Sequence, residues 1–479
     1  MIINIAGFNV DVENIKKVEE YIKDNELKLN WTPETICTSY ARISRDPSNI
    51  DIIRERARRE IERARKSNEN IIFEMGHSSI AEHSVFNIDI MGVSRLLSEE
   101  LEKSRLVSFT EKSQRYVKIG KDFLIPEEFK KDDDFLRRYL TLQKTIFDCY
   151  NNLVIDLEKY FLEKYKGNKE IKERDVLNLA KEDARYILPL ATLTQLGMTI
   201  NARNLERVLK KFFSFDLIEF NNFAEILYNK VKDIAPSLIK YVKPDDYDRN
   251  TIDLNIEENY SIPEKEVELI DYEDNFIDNI IAGFIVKRSS IDYKKAKEIV
   301  KNKSIEWRNN VIKESIKNLK PYSSLKREFE LSNFRFSILI SATAFAQLKR
   351  HRLTTIIDGE YSPKLGVTIP QSIKEIGKEN YFMENIKKVE ELYYEAKEKF
   401  GYSSNYILTN SHRKNIVLQL NFRELTHITR LRSDKHAQWD IRIISDKMIE
   451  EIKNLNPLFS KILCGKDKFE KNFNEIIKT

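Results

Sequence analysis

The chain contains one pattern twice, and that restricts its fold more than any other feature. Residues 184–203, ARYILPLATLTQLGMTINAR, align without a gap to residues 404–423, SNYILTNSHRKNIVLQLNFR, at an offset of 404 − 184 = 220. Other matches keep the same order. Phe86-Asn87-Ile88-Asp89-Ile90 alternates apolar and polar residues, and a helical pattern rich in Leu and Glu follows from Val93 to Arg105. Later, Phe334, Phe336, Ile338 and Ile340 alternate, and Ser341 to Arg350 reads as a helix. A period of two giving way to 3.6 marks a strand running into a helix. SQRYVKIGKDFLIP (113–126) likewise parallels DGEYSPKLGVTIP (358–370). Several matches in one order indicate a duplicated unit. This overrides the soft prior of roughly 150 residues per domain, which would give about three domains. The seam is the polar, acidic stretch KPDDYDRNTIDLNIEENYSIPEKE, with Pro near both ends, as suits a linker. The expected domains are 1–243 and 266–479, joined by a linker at 244–265. Both mix strands with long helices, which gives the class α+β.

Composition narrows the function. The 81 basic and 77 acidic residues leave a net charge of +4, so no global field argues for nucleic acid, and any anion site must be local. With 12 glycines the chain carries no GxGxxG and no Walker motif. Cys37, Cys149 and Cys464 lie far apart, forming neither a disulfide framework nor a cysteine metal site, which fits a reducing, cytoplasmic compartment. The opening MIINIAGFNVDVENIKK does not read as a signal peptide. No run of about 18 apolar residues exists, so no membrane span is expected.

Four segments bear on chemistry. HSSIAEH (77–83) spaces its histidines unlike a zinc helix, and positions i and i+6 do not share a helical face. No metal is expected there, and capping by Ser78 and Ser79 with Glu82 is the structural reading. KRHR (349–352) ends the apolar stretch SATAFAQLKR; a helix C-terminus stabilises cations, and clustered cations can also bind a phosphate or a planar anion. In RLRSDKHAQWDIR (430–442), Ser433 and Asp434 suit N-caps for a helix starting near Lys435, so Arg432 and His436 would flank an anion-binding helix N-terminus. The structural alternative pairs Arg432 with Asp434 or Asp440 on the surface. In SFTEKSQRYV (108–117), Ser113 has no nearby His or Asp, so no hydrolase triad is supported; alone it reads as a polar turn or a strand end.

Taken together, these segments resemble the flavin-dependent thymidylate synthases (ThyX). The hallmarks of that family are RHR, then seven residues, then SxRY, with HxxxxEH upstream and NxR…LRxDxHAQWE downstream; the resemblance covers both halves of the chain. It implies a twisted sheet packed with long helices in each half, the halves forming a pseudo-dimer and two chains a pseudo-tetramer. It also implies FAD as cofactor, with methylenetetrahydrofolate and NADPH as co-substrates, and conversion of dUMP to dTMP. In the N-terminal half His77, Ser79 and Glu82 match flavin-contacting positions, as do Asn201 and Arg203. Glu111, Ser113 and Arg115 match positions that hold dUMP, and Arg185 matches the arginine on the uracil nucleotide. Lys103-Ser104-Arg105 replaces RHR, and Phe212 and Asp216 stand where a nucleotide Arg and a flavin His are usual. The C-terminal half reverses this. Arg350, His351 and Arg352 are intact, Gln347 precedes them, and Asn421, Arg423, Arg432 and His436 are present. There Leu325 and Leu331 replace the upstream histidines, DGEY replaces SxRY, Asn405 replaces the uracil arginine, and His427 replaces an asparagine.

The losses are complementary. The resemblance therefore implies a composite site, with dUMP held by Glu111, Ser113, Arg115 and Arg185 from one half and by Gln347 and Arg432 from the other. Arg185, Ser113 and Arg350 are the residues expected nearest the chemistry, Ser113 as a substrate ligand rather than a nucleophile. FAD would be held by Arg350, His351, Arg352, Asn421, Arg423 and His436. The flavin carries the methylene and the hydride in this family, so no protein nucleophile is required. Two other readings stay open: flavin-dependent modification at C5 of another pyrimidine nucleotide, and a flavin- or nucleotide-binding protein without turnover. RNA binding through KRHR gains nothing from the near-neutral charge.

Overall fold

A computed structural model describes residues 1–11, 13–17, 31–43, 46–168, 172–249 and 260–478. Within these residues the chain makes two compact units. One is drawn from 1–255 with 380–408, the other from 256–379 with 409–479. Of the linker expected at 244–265, residues 250–259 lie outside the described residues.

In the first unit, β1 (Ile2–Phe8), β2 (Val85–Ser94), β3 (Ser108–Glu111) and β4 (Leu193–Asn201) form an antiparallel sheet in the order β1-β2-β4-β3. Its main helices are α1 (Arg95–Glu102), α2 (Asp133–Lys164), α3 (Glu173–Ala184), α4 (Ala202–Ser214) and α5 (Ile218–Val231). The second sheet repeats the order as β5-β6-β8-β7, from β5 (Val267–Tyr272), β6 (Phe334–Ser341), β7 (Thr355–Asp358) and β8 (Arg413–Leu420). The later helices include α6 (Phe276–Arg288), α7 (Ala342–Leu348), α8 (Glu379–Phe400), α9 (Phe422–Arg432) and α10 (Trp439–Leu455).

The sequence alternation decides which sheet face is buried. Phe86, Ile88 and Ile90 on β2 and Phe334, Phe336, Ile338 and Ile340 on β6 point into their cores, as the two-residue period of a strand requires. Register carries the repeat to atomic detail. Ser108 pairs with Thr199 and Glu111 with Leu196, while Thr355 pairs with Gln419 and Asp358 with Ile416; 419 − 199 and 416 − 196 both equal 220. Asp358 therefore occupies the sheet position of Glu111.

β2 runs to Ser94, so α1 starts at Arg95, two residues later than the hydrophobic pattern at Val93 suggests. The reason is a cap: the Ser94 hydroxyl accepts from Leu97 N at 3.0 Å, and Ser341 accepts from Ala344 N at 3.0 Å before α7. Each capping hydroxyl donates at 2.6 Å to a buried acid, Ser94 to Glu219 and Ser341 to Asp440.

The helix α8 departs from what the repeat suggests. It lies in the second sequence copy, yet nearly all of it counts with the first unit. Arg138 of α2 donates to both carboxylate oxygens of Glu395 at 2.6 Å, and Phe400 packs edge-on against Phe135, with ring centroids 4.9 Å apart. Behind α8, Leu190 N donates to Leu408 O at 2.7 Å and Ala191 N to Tyr406 O at 3.0 Å. Among the described residues no helix is long and apolar enough to cross a membrane.

Candidate active site

In the first unit, the end of α3 and the turn after β3 bring three predicted substrate residues together. Arg115 forms an ion pair with the buried carboxylate of Glu182. Arg185 donates from Nε to Glu182 O at 3.2 Å. Ser113 Oγ accepts from Arg115 N at 3.2 Å, which closes the turn that aims Arg115. Burial pulls the Arg185 guanidinium below its ordinary value, Glu182 opposes this, and Arg115 and Arg95 add to it. Glu111 accepts from Ser98 Oγ at 3.0 Å on the neighbouring helix. Arg95, buried at the first position of α1, is a cation that sequence reasoning passed over, as it passed over Glu182. The available signals were Arg95 directly after a capping serine and the Glu–Arg spacing of 182 and 185.

The flavin-type residues of this copy gather separately. Glu82 pairs with Arg203, so the 77–83 turn meets the start of α4, where Asn201 caps the helix by accepting from Asn204 N at 2.9 Å. His77 and Ser79 are exposed beside that turn. The capping expected of Ser78 and Ser79 does not occur: residues 78–83 form a single 3-10 turn that has no side-chain cap, and Glu82 is committed to Arg203.

In the second unit Arg432 is the hub. It donates from Nε to His351 Nε2 at 3.1 Å and from Nη2 to the Gln347 carbonyl at 3.0 Å, with Gln347 Oε1 3.4 Å from Nη1. These bonds replace the surface pairing with Asp434 or Asp440. The expected helix near Lys435 is also corrected. Residues 434–437 form a turn closed by Ala437 N to Asp434 O at 2.9 Å, and α10 begins at Trp439 with Gln438 as its cap. Asp440 N and Ile441 N both donate to Gln438 Oε1, so the capping acceptor lies four residues beyond Asp434. His436 sits exposed in the turn. Gly465 presses on the same turn, where a Cβ would come 2.5 Å from the Ser433 carbonyl oxygen.

Arg350, His351, Arg352 and Arg423 line one cavity of about 470 Å³, together with Arg430 and Lys466. Asn421 caps α9 by accepting from Glu424 N at 2.9 Å. Arg423 is held by Leu325 O at 2.7 Å and by Glu330 at 2.9 Å. Glu330 and Arg423 thus repeat the Glu82–Arg203 pair, a correspondence hidden in the sequence by the loss of both flanking histidines.

His351 is buried, and its burial, with Arg432 and His427 beside it, pushes the imidazole well below its ordinary value. A guanidinium can only donate, so His351 Nε2 is an acceptor and Nδ1 carries the proton, 3.6 Å from Glu424 Oε1. Ligand atoms of His351, Glu424 and His427 lie within 4.8 Å of one another. A cation there would need the Nδ1 lone pair while Arg432 holds Nε2, and it would sit beside several guanidinium groups. The cluster is better suited to fixing His351, and through it the Arg432 guanidinium.

In this unit the position of Glu111 is closed. Asp358 accepts from Lys414 Nζ at 2.7 Å, and the buried ammonium lies 3.6 Å from the centroid of Phe345 and 4.3 Å from that of Tyr361. The second copy fills this position with its own lysine.

The profile described as "Thymidylate synthase complementing protein" matches residues 26–237 and 268–458, one segment in each copy. Among curated relatives, the UPF0159 protein Ta1429 of Thermoplasma acidophilum is 27% identical over 480 positions, covering 89% of this chain and 94% of its own. A flavin-dependent thymidylate synthase of Clostridium tetani is 29% identical over 225 positions, covering 47% of this chain and 87% of its own. Among solved structures, the ThyX of Helicobacter pylori complexed with FAD and dUMP is 17% identical, covers 51% of this chain and 100% of its own, and superposes with a TM-score of 0.31.

Proposed function

Since the chain belongs to the thymidylate synthase complementing protein family, matched along both copies, we propose that it is a flavin-dependent thymidylate synthase. It would convert dUMP to dTMP with methylenetetrahydrofolate and NADPH. The observation that carries this reading is the split of retained residues. Arg115 and Arg185 meet at Glu182, with Ser113 closing the Arg115 turn, in the first unit, and Gln347, His351 and Arg432 interlock in the second.

The donor set fits FAD: Arg350, Arg352, Arg423 and Lys466 around one cavity suit a diphosphate, because guanidinium groups bind phosphate oxygens in pairs. When bound, the flavin supplies the redox chemistry and carries the one-carbon unit. The chain's own residues bind and orient. Arg185 stabilises the negative charge that develops on the pyrimidine oxygens as C5 becomes nucleophilic. Arg115, Ser113, Glu111, Gln347 and Arg432 hold the nucleotide, and Arg115 exchanges Glu182 for the phosphate on binding. His351, kept neutral by burial and Arg432, accepts from Arg432 Nε and so orients that guanidinium for an anion. Lys414, bonded to Asp358 at the sheet position equivalent to Glu111, closes that position in the second copy and supports one working nucleotide site per chain, in a homodimer.

The deciding assay is tritium release from C5-labelled dUMP with methylenetetrahydrofolate, FAD and NADPH at low oxygen. Release that depends on folate, flavin and reductant is expected, with loss of dUMP binding in Arg185→Ala. A flavin-loaded, reducible protein without release would refute dUMP as substrate. Arg115→Ala and Arg432→Ala chains, each inactive alone, test the composite site: if one site uses both sets within a chain, mixing and reassembling them restores little activity.

A further inference from the structure

The even charge of the whole chain hides an uneven distribution. Residues 287–327 hold 13 of the 81 basic residues and 4 of the 77 acidic ones, a local balance of +9 that leaves the rest of the chain net negative. The segment includes the helices Tyr293–Lys301 and Ile305–Ile316, which follow α6 in the second unit. Each packs through an apolar pair one turn apart, Ala296 with Val300 and Ile312 with Ile316. Arg308 ties them together, pairing with Asp278 of α6 at 2.7 Å and donating to Val300 O at 3.1 Å. That packing leaves the lysines on the outer faces. Lys294, Lys297 and Lys301 recur at helical spacing on the first helix, Lys313 stands on the second, and Lys303 and Lys320 lie in the connections. These six have no ion-pair partner among the described residues, whereas Lys295 and Lys317 are held by Glu298 and Glu314. The first copy supplies an internal control. At the same place in the repeat, between its first strand and the turn at 78–83, its helices are rich in arginine, but Arg56 pairs with Asp46, Arg58 with Asp11, Arg63 with Glu60 and Arg65 with Glu34. One position of the repeat is neutralised in the first copy and left bare in the second.

We propose that this lysine face binds the backbone of a single-stranded nucleic acid. None of the six lysines lines the cationic cavity, so the surface is separate from the candidate active site. Unpaired ammonium groups spread over two helices suit a row of phosphates, each neutralised contact releasing a counterion. Tyr293, exposed at the head of the first helix with the Lys297 ammonium 6.0 Å from its ring centroid, offers a flat face for a base. A ring that stacks on a base needs that base unpaired, which selects a single strand over a duplex. An anionic membrane surface would need apolar side chains pointing the same way as the lysines. Here Ala296, Val300, Ile312 and Ile316 face the core, and Ile305 is the one aliphatic side chain of the two helices left exposed.

The test is fluorescence anisotropy of labelled oligo(A) and oligo(dA) titrated with the full chain across a range of salt. The proteins are wild type, a variant combining Lys294→Gln, Lys297→Gln and Lys301→Gln, and Tyr293→Leu. Each phosphate contact on a single strand contributes a slope of about −0.7 to log K against log salt. Loss of three lysines should therefore reduce the slope by about 2, and Tyr293→Leu should weaken binding ~5-fold or more at an unchanged slope. Excess dUMP and FAD should leave the strand bound. Preference for oligo(A) would identify the ligand as RNA, and equal binding would identify a single strand of either sugar. No binding by wild type at low salt, the same slope in the lysine variant, full affinity in Tyr293→Leu, displacement by dUMP or FAD, or tighter binding of phosphatidylserine vesicles would each overturn the proposal.

Discussion

His351 shows how one side chain takes its character from its neighbours. In an unfolded chain it titrates near 6.5; in the fold, burial and the guanidinium of Arg432 hold it well below that. The unfolded state then binds the extra proton first, so stability falls as pH drops below about 6.5 toward the depressed folded value. Melting temperature should decline between pH 7 and pH 5, and His351→Asn should flatten that decline. An unchanged slope in the variant would assign the pH dependence to other groups. The sequence offers Arg432 as a candidate anion ligand, whereas its grip on His351 and Gln347 is not legible there. Those partners lie about eighty positions away, and local pattern carries no distance information at that range.

At the scale of elements, the β2–α1 and β6–α7 junctions use one device, a serine cap anchored on a buried acid. In the first unit Glu219 also accepts from Ser94 N at 2.8 Å and from the Tyr406 hydroxyl at 2.8 Å. Burial raises this carboxyl, and the three donors counter the rise. Glu219→Ala strands those donors and should cost ~3 kcal/mol or more, while Tyr406→Phe removes one bond and should cost ~1–2 kcal/mol. Denaturant unfolding checks both; equal costs for the two variants would contradict the shared anchor. Neither the capping serines nor their acids were read from the sequence, since a serine at a strand end and an acid near the start of a helix look solvated until their burial is known. The same blindness misplaced the start of α10: Ser433 and Asp434 are better capping residues than Gln438, yet the turn at 434–437 leaves only Gln438 in reach.

At the scale of the molecule, the two sequence copies and the two compact units do not coincide. The helix α8 and the 3-10 helix after it (Gly401–Tyr406) complete the first unit with side chains from the second copy. Residues 1–249 expressed alone should therefore fail to fold cooperatively, and a separately supplied 260–479 fragment should rescue them. A sharp, reversible unfolding transition for the short fragment alone would contradict the exchange.

The sequence by itself determined what is local or repeated: the duplication, the alternating strands and the complementary loss of motif residues. These follow from periodicity and residue type, which act over a few positions. Tertiary structure alone decided which unit α8 joins, that Asp358 replaces Glu111 and is closed by Lys414, that Glu330 and Arg423 preserve an ion pair between altered neighbours, and that Asn279 holds an acceptor without a donor. Each depends on burial and on strand register across long separations, where a single packing arrangement selects among many pairings that the linear order allows equally.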